Sequence, residues 1–259
     1  MKRLCIAILA TTILLGLSSC FLFSLPKSCL IDDLRAGYSD ADPLFAGLAA
    51  ILSARGYDVS YTSEVGFNPK NHSIILVVAP SKLFTSPEVA QIQSFLDRGG
   101  KLIMFDYVVK EQSQLYLNPL SSALKSGISF EYEVVLDSTN NVENNPFLPT
   151  TTQFESGHSL VKELQKVVFV LPSHIIVSGD AVGVVWAEST AQRAYPSFDP
   201  PIILEDPTLL AINPCCLVAA SQVGRGRIVG VSSARAFEDM ALLVPGFDNA
   251  KLFENIVDW

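Results

Sequence analysis

SPEVAQIQSFLDRGGKLIMFD, Ser86–Asp106, holds the decisive fold signal in one line. Ser86 followed by Pro87 and Glu88 predicts a helix start capped at Ser86, because the N–H that proline lacks is one the first turn leaves unused. Val89, Ile92, Phe95 and Leu96 then share one face at helical spacing. Gly99-Gly100 stops the helix, and Lys101–Phe105 is a short apolar strand that ends abruptly at Asp106. The strand before this helix is Ser73-Ile74-Ile75-Leu76-Val77-Val78-Ala79-Pro80, an unbroken aliphatic run that suits a parallel strand covered on both faces. Together the two strands and the helix make a βαβ unit.

Toward the amino terminus, Cys29–Ile31 leading into Asp32-Asp33 predicts a first strand. Ser39 and Asp40 are expected to cap a helix carrying Leu44, Leu48, Ile51 and Leu52, with Gly56 as its stop, and Val59 and Tyr61 mark a second strand. On the other side a helix is expected over Leu115–Leu124, followed by short extended pieces at Phe130–Leu136, Val167–Leu171, Ile175–Val177 and Val182–Trp186. The intervening 137–153, rich in Asn, Thr and Pro, predicts a long surface excursion. Regular alternation resumes at Cys216–Ala220, turns at Gly224-Arg225-Gly226-Arg227, and closes with Ile228–Val231 and a helix around Asn249–Trp259. The expected fold is therefore α/β: a doubly wound, flavodoxin-like three-layer sandwich on a mainly parallel sheet, with an irregular, β-rich region over 136–190. Ligand pockets in such sheets lie beyond the carboxyl ends of the strands. Asp32, Asp33, Ser81, Asp106, Tyr107 and Ser232 fall there and are the candidate ligand-binding residues.

The front of the chain is an address rather than a fold. In MKRLCIAILATTILLGLSSC, Lys2 and Arg3 precede an uncharged apolar run and small residues before Cys20, the layout of a bacterial export signal. Leu17-Ser18-Ser19-Cys20 resembles a lipobox, in which cleavage falls before a diacylated cysteine. That reading divides the chain into a signal peptide (1–19), a lipidated tether (20–27) and one domain (28–259). The competing reading is a plain transmembrane anchor, since no charge appears between Leu4 and Pro26. Both put the folded part on the extracytoplasmic face of the cell membrane.

With 18 Lys+Arg and 26 Asp+Glu the chain carries a net −8. Loss of residues 1–19 removes two basic residues, so the mature balance is 16 − 26 = −10. Such a balance argues against nucleic acid or anionic lipid surfaces as partners, because both require basic patches. Past Cys5 and Cys20, three cysteines remain. Cys29 with Cys215 or Cys216 could form a disulfide in an oxidising envelope, but all three read as strand-end positions where cysteine serves as a small buried hydrophobe. No CxxC or HxxxH spacing supports a metal, and nothing in the sequence calls for a cofactor.

In their order, LFAGLAAILSARGYDVSY, SPEVAQIQSFLDRGGKLIMFD, GHSLVKELQKVVF, VAASQVGRGRIVGVSSARAFEDM and DNAKLFENIVDW resemble the class I glutamine amidotransferase-like superfamily. More narrowly they resemble its non-enzymatic envelope branch: a domain of unknown function of bacterial membrane proteins, the auxiliary component of gliding-type ABC transport systems, and the related domain of intraflagellar transport proteins. In active amidotransferases the strand matching Lys101–Phe105 leads to a nucleophilic cysteine, and a later histidine completes the pair. Here the two places read Phe105-Asp106-Tyr107 and Val231-Ser232-Ser233-Ala234, with neither residue. The resemblance thus implies a binding or assembly module with no catalytic residues, whose partners would be ABC transporter subunits or a polar small molecule such as a glycan.

Other chemistry is weaker. Ser232 or Ser233 with His158 or His174 and Asp106 has the composition of a triad, but triads are defined by geometry and no GxSxG is present. His158, in GHSL, reads as a turn or helix-start residue. The alternative function is an envelope hydrolase that uses the acidic strand ends Asp32, Asp33 and Asp106 as paired carboxylates.

Overall fold

The computed structural model describes residues 27–36, 43–107, 112–196, 203–204, 214–238, 241 and 245–259. Residues 1–26, including Cys20, and the expected caps Ser39 and Asp40 lie outside them.

The first half follows the aliphatic runs closely. Strand β1 (Ser28–Asp32) is followed by helix α1 (Pro43–Ala54), β2 (Asp58–Tyr61), the single turn α2 (Thr62–Val65), β3 (Ile74–Val78), α3 (Ser86–Asp97), β4 (Lys101–Phe105) and α4 (Gln114–Ala123). The cap of α3 is Thr85, one residue earlier than expected, and the Glu88 carboxylate accepts from its backbone N–H at 2.8 Å. Proline tolerates the second helical position as well as the first, so Pro87 does not discriminate between the two registers. At the other end of α3 a Cβ on Gly100 would sit 2.3 Å from the Phe95 ring, so the strand can leave this close to its helix only from a glycine.

The second half is almost all strand: β5 (Ile128–Leu136), β6 (Asn141–Val142), β7 (Asn145–Thr151), β8 (Gln153–Phe154), β9 (Val167–Val168), β10 (Ser173–Val177), β11 (Val182–Trp186), β12 (Gln192–Pro196), β13 (Ile203–Leu204), β14 (Cys216–Val223) and β15 (Gly226–Val231), before the closing helix α5 (Asn249–Asp258). Part of the expected surface excursion is ordered, with β6, β7 and β9 forming a separate three-stranded sheet.

Among the described residues twelve strands make one mixed sheet with the path β13-β12-β5-β10-β14-β15-β4-β3-β1-β2, to which β11 and β8 attach beside β14. Only β2-β1-β3-β4-β15 is parallel. From β14 outward every pairing is antiparallel, so the expected mainly parallel sheet is corrected to a mixed one. The physical reason is the connection between β14 and β15: Gly224-Arg225 is too short to cross over and can join only antiparallel neighbours.

Alternation along the strands sorts the core. Ile31, Leu76, Ile103, Phe105 and Val231 pack under α1 and α5. Ile75, Val77, Leu102, Met104 and Ile228 pack under α3 and α4. Continuing the period of two, Asp106 and Ser232 belong to the α3/α4 face. The three cysteines are buried thiols; burial raises the pKa of Cys29, and pushes Cys215 and Cys216 up to about 11 and about 12.

The turn between α4 and β5 gives a sharp test of this packing. Gly127 has φ +74°, and a Cβ there would lie 2.1 Å from the Ser178 carbonyl oxygen. Gly127→Ala combines left-handed strain with a collision against backbone, and should cost about 2–4 kcal/mol. Chemical denaturation reads this directly. A cost near zero would mean that the β10–β11 turn moves freely away.

Candidate functional site

The candidate residues separate into two groups at the carboxyl ends of the parallel strands. The first is built on the ends of β4 and β15. Register pairs Val231 with Phe105, so the next residues, Ser232 and Asp106, stand side by side on the same face. Both are fully buried, as are Ser113, Ser173 and Ser233. Backbone bonds tie the two strand ends together: Asp106 N–H donates to the Val231 carbonyl at 2.9 Å, and Ala234 N–H donates to the Asp106 carbonyl at 2.7 Å. Ser113, next to the start of α4, donates its hydroxyl to Asp106 Oδ1 at 2.5 Å and accepts from the Tyr107 N–H at 2.8 Å.

Two polar atoms in this cluster are left without a hydrogen bond. Asp106 Oδ2 and Ser232 Oγ are fully buried and neither has a partner among the described residues. The Ser173 hydroxyl helps to hold the Asp106 pKa down, but its own bond goes to the Ser232 carbonyl at 3.2 Å. Burial wins over these donors and raises the Asp106 pKa from 3.8 to about 6. An unsatisfied buried carboxylate oxygen costs free energy, which makes this strand end the candidate site. Tyr107 is mostly buried beside it, and Arg235 interacts with the Tyr107 side chain while its guanidinium holds Glu238 at 2.8 Å. That bond to Glu238 is the main reason the Arg235 pKa is raised.

The second group is a closed ion cluster on the end of β1. Asp32 Oδ2 accepts from Arg35 at 2.6 Å and its other oxygen from Thr62 at 3.0 Å. Arg35 also bonds Glu88 and lies against the Phe67 and Phe84 rings, 4.8 and 4.4 Å from their centroids, the two rings meeting edge to face 5.9 Å apart. Such stacking suits a weakly hydrated guanidinium. Asp33 accepts from Thr62 and from Ser63, side chain and backbone. Burial raises the Asp32 pKa despite Arg35; at Asp33 burial is outweighed by the Ser63 and Thr62 donors, and its pKa is lowered. The Ser81 hydroxyl donates to the Arg35 carbonyl at 3.0 Å, clasping the β3 turn to the β1 turn.

The structure therefore brings Asp106, Tyr107 and Ser232 together and places Asp32, Asp33 and Ser81 in a separate cluster whose polar atoms are already used. Strand β3 lies between β1 and β4. Arg35, Ser113 and Ser173 were missed in the sequence. Ser113 alone left a trace, as a helix-start residue seven positions after Asp106. Of the histidines, His158 accepts from Leu160 N–H through Nδ1 at 3.2 Å, the turn role expected of it. His174 Nδ1 is buried with no hydrogen-bond partner among the described residues, and burial followed by the Arg193 charge lowers its pKa to about 4. Among the described residues no group of three His, Cys, Asp or Glu side chains is placed to hold a metal ion, and no helix is long and apolar enough to cross a membrane.

A mixed α/β sheet with helices on both faces and a sealed polar cluster at its strand ends defines the class of protein. Residues 40–257 match the model of the domain of unknown function DUF4350, and the chain belongs to that family. Two solved structures are similar in fold. The mmIFT52 N-terminal domain is 16% identical, with 90% of this chain and 96% of that one covered at a TM-score of 0.65. Cytoplasmic protein STM1381 from Salmonella typhimurium LT2 is 11% identical, with 89% and 97% covered at a TM-score of 0.55. The expected likeness to a domain of intraflagellar transport proteins is thus met in the fold. No curated protein matches the sequence.

Proposed function

We propose that this protein is a lipid-anchored component of the bacterial cell envelope whose domain works by binding rather than by catalysis, as an assembly module of an ABC-type transport system or as a receptor for a polar ligand such as a glycan. The observation that carries it is the pair of unpartnered buried atoms, Asp106 Oδ2 and Ser232 Oγ, at adjacent strand ends. An acceptor and a hydroxyl held side by side fit a ligand or partner that supplies hydroxyl or amide donors. The parallel order β2-β1-β3-β4-β15 supports a doubly wound, flavodoxin-like core of the amidotransferase-like kind, in which β4 would carry the nucleophile. Its end carries Asp106 instead, and all three described cysteines have raised pKa values, which removes thiolate character.

Lipidation at Cys20 is tested by a hydroxylamine-sensitive acyl label, expected on the wild type and lost in Cys20→Ser. The partner is sought by isolating the full-length protein from its own membranes in mild detergent and identifying what comes with it by mass spectrometry. Transporter subunits in fixed proportion would establish the assembly role, and the protein alone would leave ligand binding.

One observation favours a hydrolase as the second reading. A carboxyl with a pKa of about 6 and a free oxygen is suited to general acid–base work near neutrality. Asp32 and Asp33 are tied to Arg35, Thr62 and Ser63, so Asp106 would act without them. Glutaminase, esterase or glycosidase turnover abolished by Asp106→Ala would replace the binding reading with this one.

A further inference from the structure

The opposite pole of the sheet has a different character. Strands β1, β3, β4 and β15 begin there and α5 ends there. A cleft of about 400 Å³ is lined by Arg98, Lys101, Arg225 and Arg227, with Asp258 its one acidic residue. Asp258 already holds Arg55 at 2.9 Å. The Lys101 ammonium is buried and caps α5 through the Ile256 and Val257 carbonyls. The Arg225 and Arg227 side chains have no ion pair and no hydrogen-bond partner among the described residues; Arg227 stacks on the Trp259 ring at 5.0 Å. Lys27, stacked on Tyr57 at 5.2 Å, adds a cation beside β1, and Asp58 and Asp97 offset part of the charge. A chain with a net charge of −8 has thus gathered positive charge at one end of its sheet.

The chain enters the fold at this same pole. Seven residues, 21–27, separate Cys20 from the start of β1 at Ser28. Fully extended, they reach about 25 Å at most. We propose that this pole faces the membrane and that the cleft between Arg98, Lys101, Arg225 and Arg227 takes the phosphate of an anionic lipid headgroup. This rests on the lipid-anchor reading above and adds to it an orientation and a ligand. The planar guanidinium groups of Arg225 and Arg227, with donors unused among the described residues, match phosphate oxygens, and Arg98, bonded to Ser94 and the Lys70 carbonyl, adds its charge. Basic residues close to a membrane surface are attracted within a Debye length. With this pole held down, the strand ends that carry the Asp106 cluster face away from the bilayer.

The test uses the full-length, lipid-modified protein carrying Trp186→Phe, which leaves Trp259 as the only tryptophan. It is placed in phosphatidylcholine bilayers with and without phosphatidylglycerol, with a nitroxide quencher on the lipid headgroups. Trp259 should be quenched in the phosphatidylglycerol bilayers and released by high salt. Arg225→Gln with Arg227→Gln should cut the membrane-facing population about 30-fold. Both side chains are exposed, Arg225 in the turn and Arg227 at the start of β15, so folding can be verified by an unchanged melting curve, and the salt arm needs no variant. Quenching that ignores phosphatidylglycerol, salt and the double variant overturns the proposal. A Trp259 response to inorganic phosphate in phosphatidylcholine alone, without one to phosphatidylglycerol, also overturns it and assigns the cleft to a free anion. Retention on washed membranes reads the anchor separately: a retained but unquenched protein sinks only the orientation, whereas a protein that washes off sinks the anchor as well.

Discussion

Asp106→Asn should make the protein more stable at neutral pH, by about 1–3 kcal/mol. The folded-state pKa of Asp106 is raised to about 6 from 3.8, chiefly by burial. A group raised in this way contributes stability that is fully present below the unfolded value and lost as pH rises through the folded one. A rise of that size corresponds to a penalty of about 3 kcal/mol above pH 6. Asparagine keeps Oδ1 for the Ser113 hydroxyl and removes the charge, while its amide leaves a buried donor that offsets part of the gain. The gain should therefore vanish as pH falls below the unfolded value of 3.8, where the wild-type carboxyl becomes protonated in both states and only the small cost of the buried amide remains. His174 works in the other direction. Its folded pKa is depressed to about 4, so its contribution is present above its usual value and lost as pH falls toward 4. That slope is common to both proteins and cancels in their difference. Urea unfolding of the two across this range is the measurement. A gain of the same size at both ends would assign it to packing, and a loss at neutral pH would mean that Oδ2 has a partner. If the binding reading holds, the stabilised variant should lose its partner, the usual trade where a site stores strain.

Glu133→Ala should be the most damaging of the charge deletions, at about 3–5 kcal/mol. Glu133 on β5 and Arg193 on β12 meet at 2.8 Å with side chains only 9% and 8% exposed. The antiparallel register sets Arg193 opposite Val135, so the pair is a diagonal one on a single face of the sheet. Removing the carboxylate strands a guanidinium in the interior, and Arg193 Nε already lacks a partner. Replacing both residues, Glu133→Leu with Arg193→Met, should recover most of the loss because no lone charge remains. A double variant as unstable as the single one would show that the pair sets the register of β12 rather than merely satisfying itself.

The parallel half of this protein could be read directly from its residues. Aliphatic runs such as Ile74–Val78 bury both faces, and glycines and caps punctuate them at helical and strand spacing; those are local properties, and β1 to β4 fall within a residue or two of where they place them. Position at a strand end could be read for Asp106 and Ser232 too. What only the tertiary structure decided is which polar atoms find partners. Asp32 and Asp106 look alike in sequence, each an acid closing a buried strand. Arg35, packed against Phe67 and Phe84, satisfies one, and the other faces serines from β10, the end of β15 and the start of α4 that leave an oxygen without a partner among the described residues. The same holds for charge. A net value adds residues without regard to place, whereas the fold brings Arg98 from the end of α3, Arg225 from a turn and Arg227 from the start of β15 to one end of the sheet. Hydrogen bonds and fields depend on distances that only the folded chain sets.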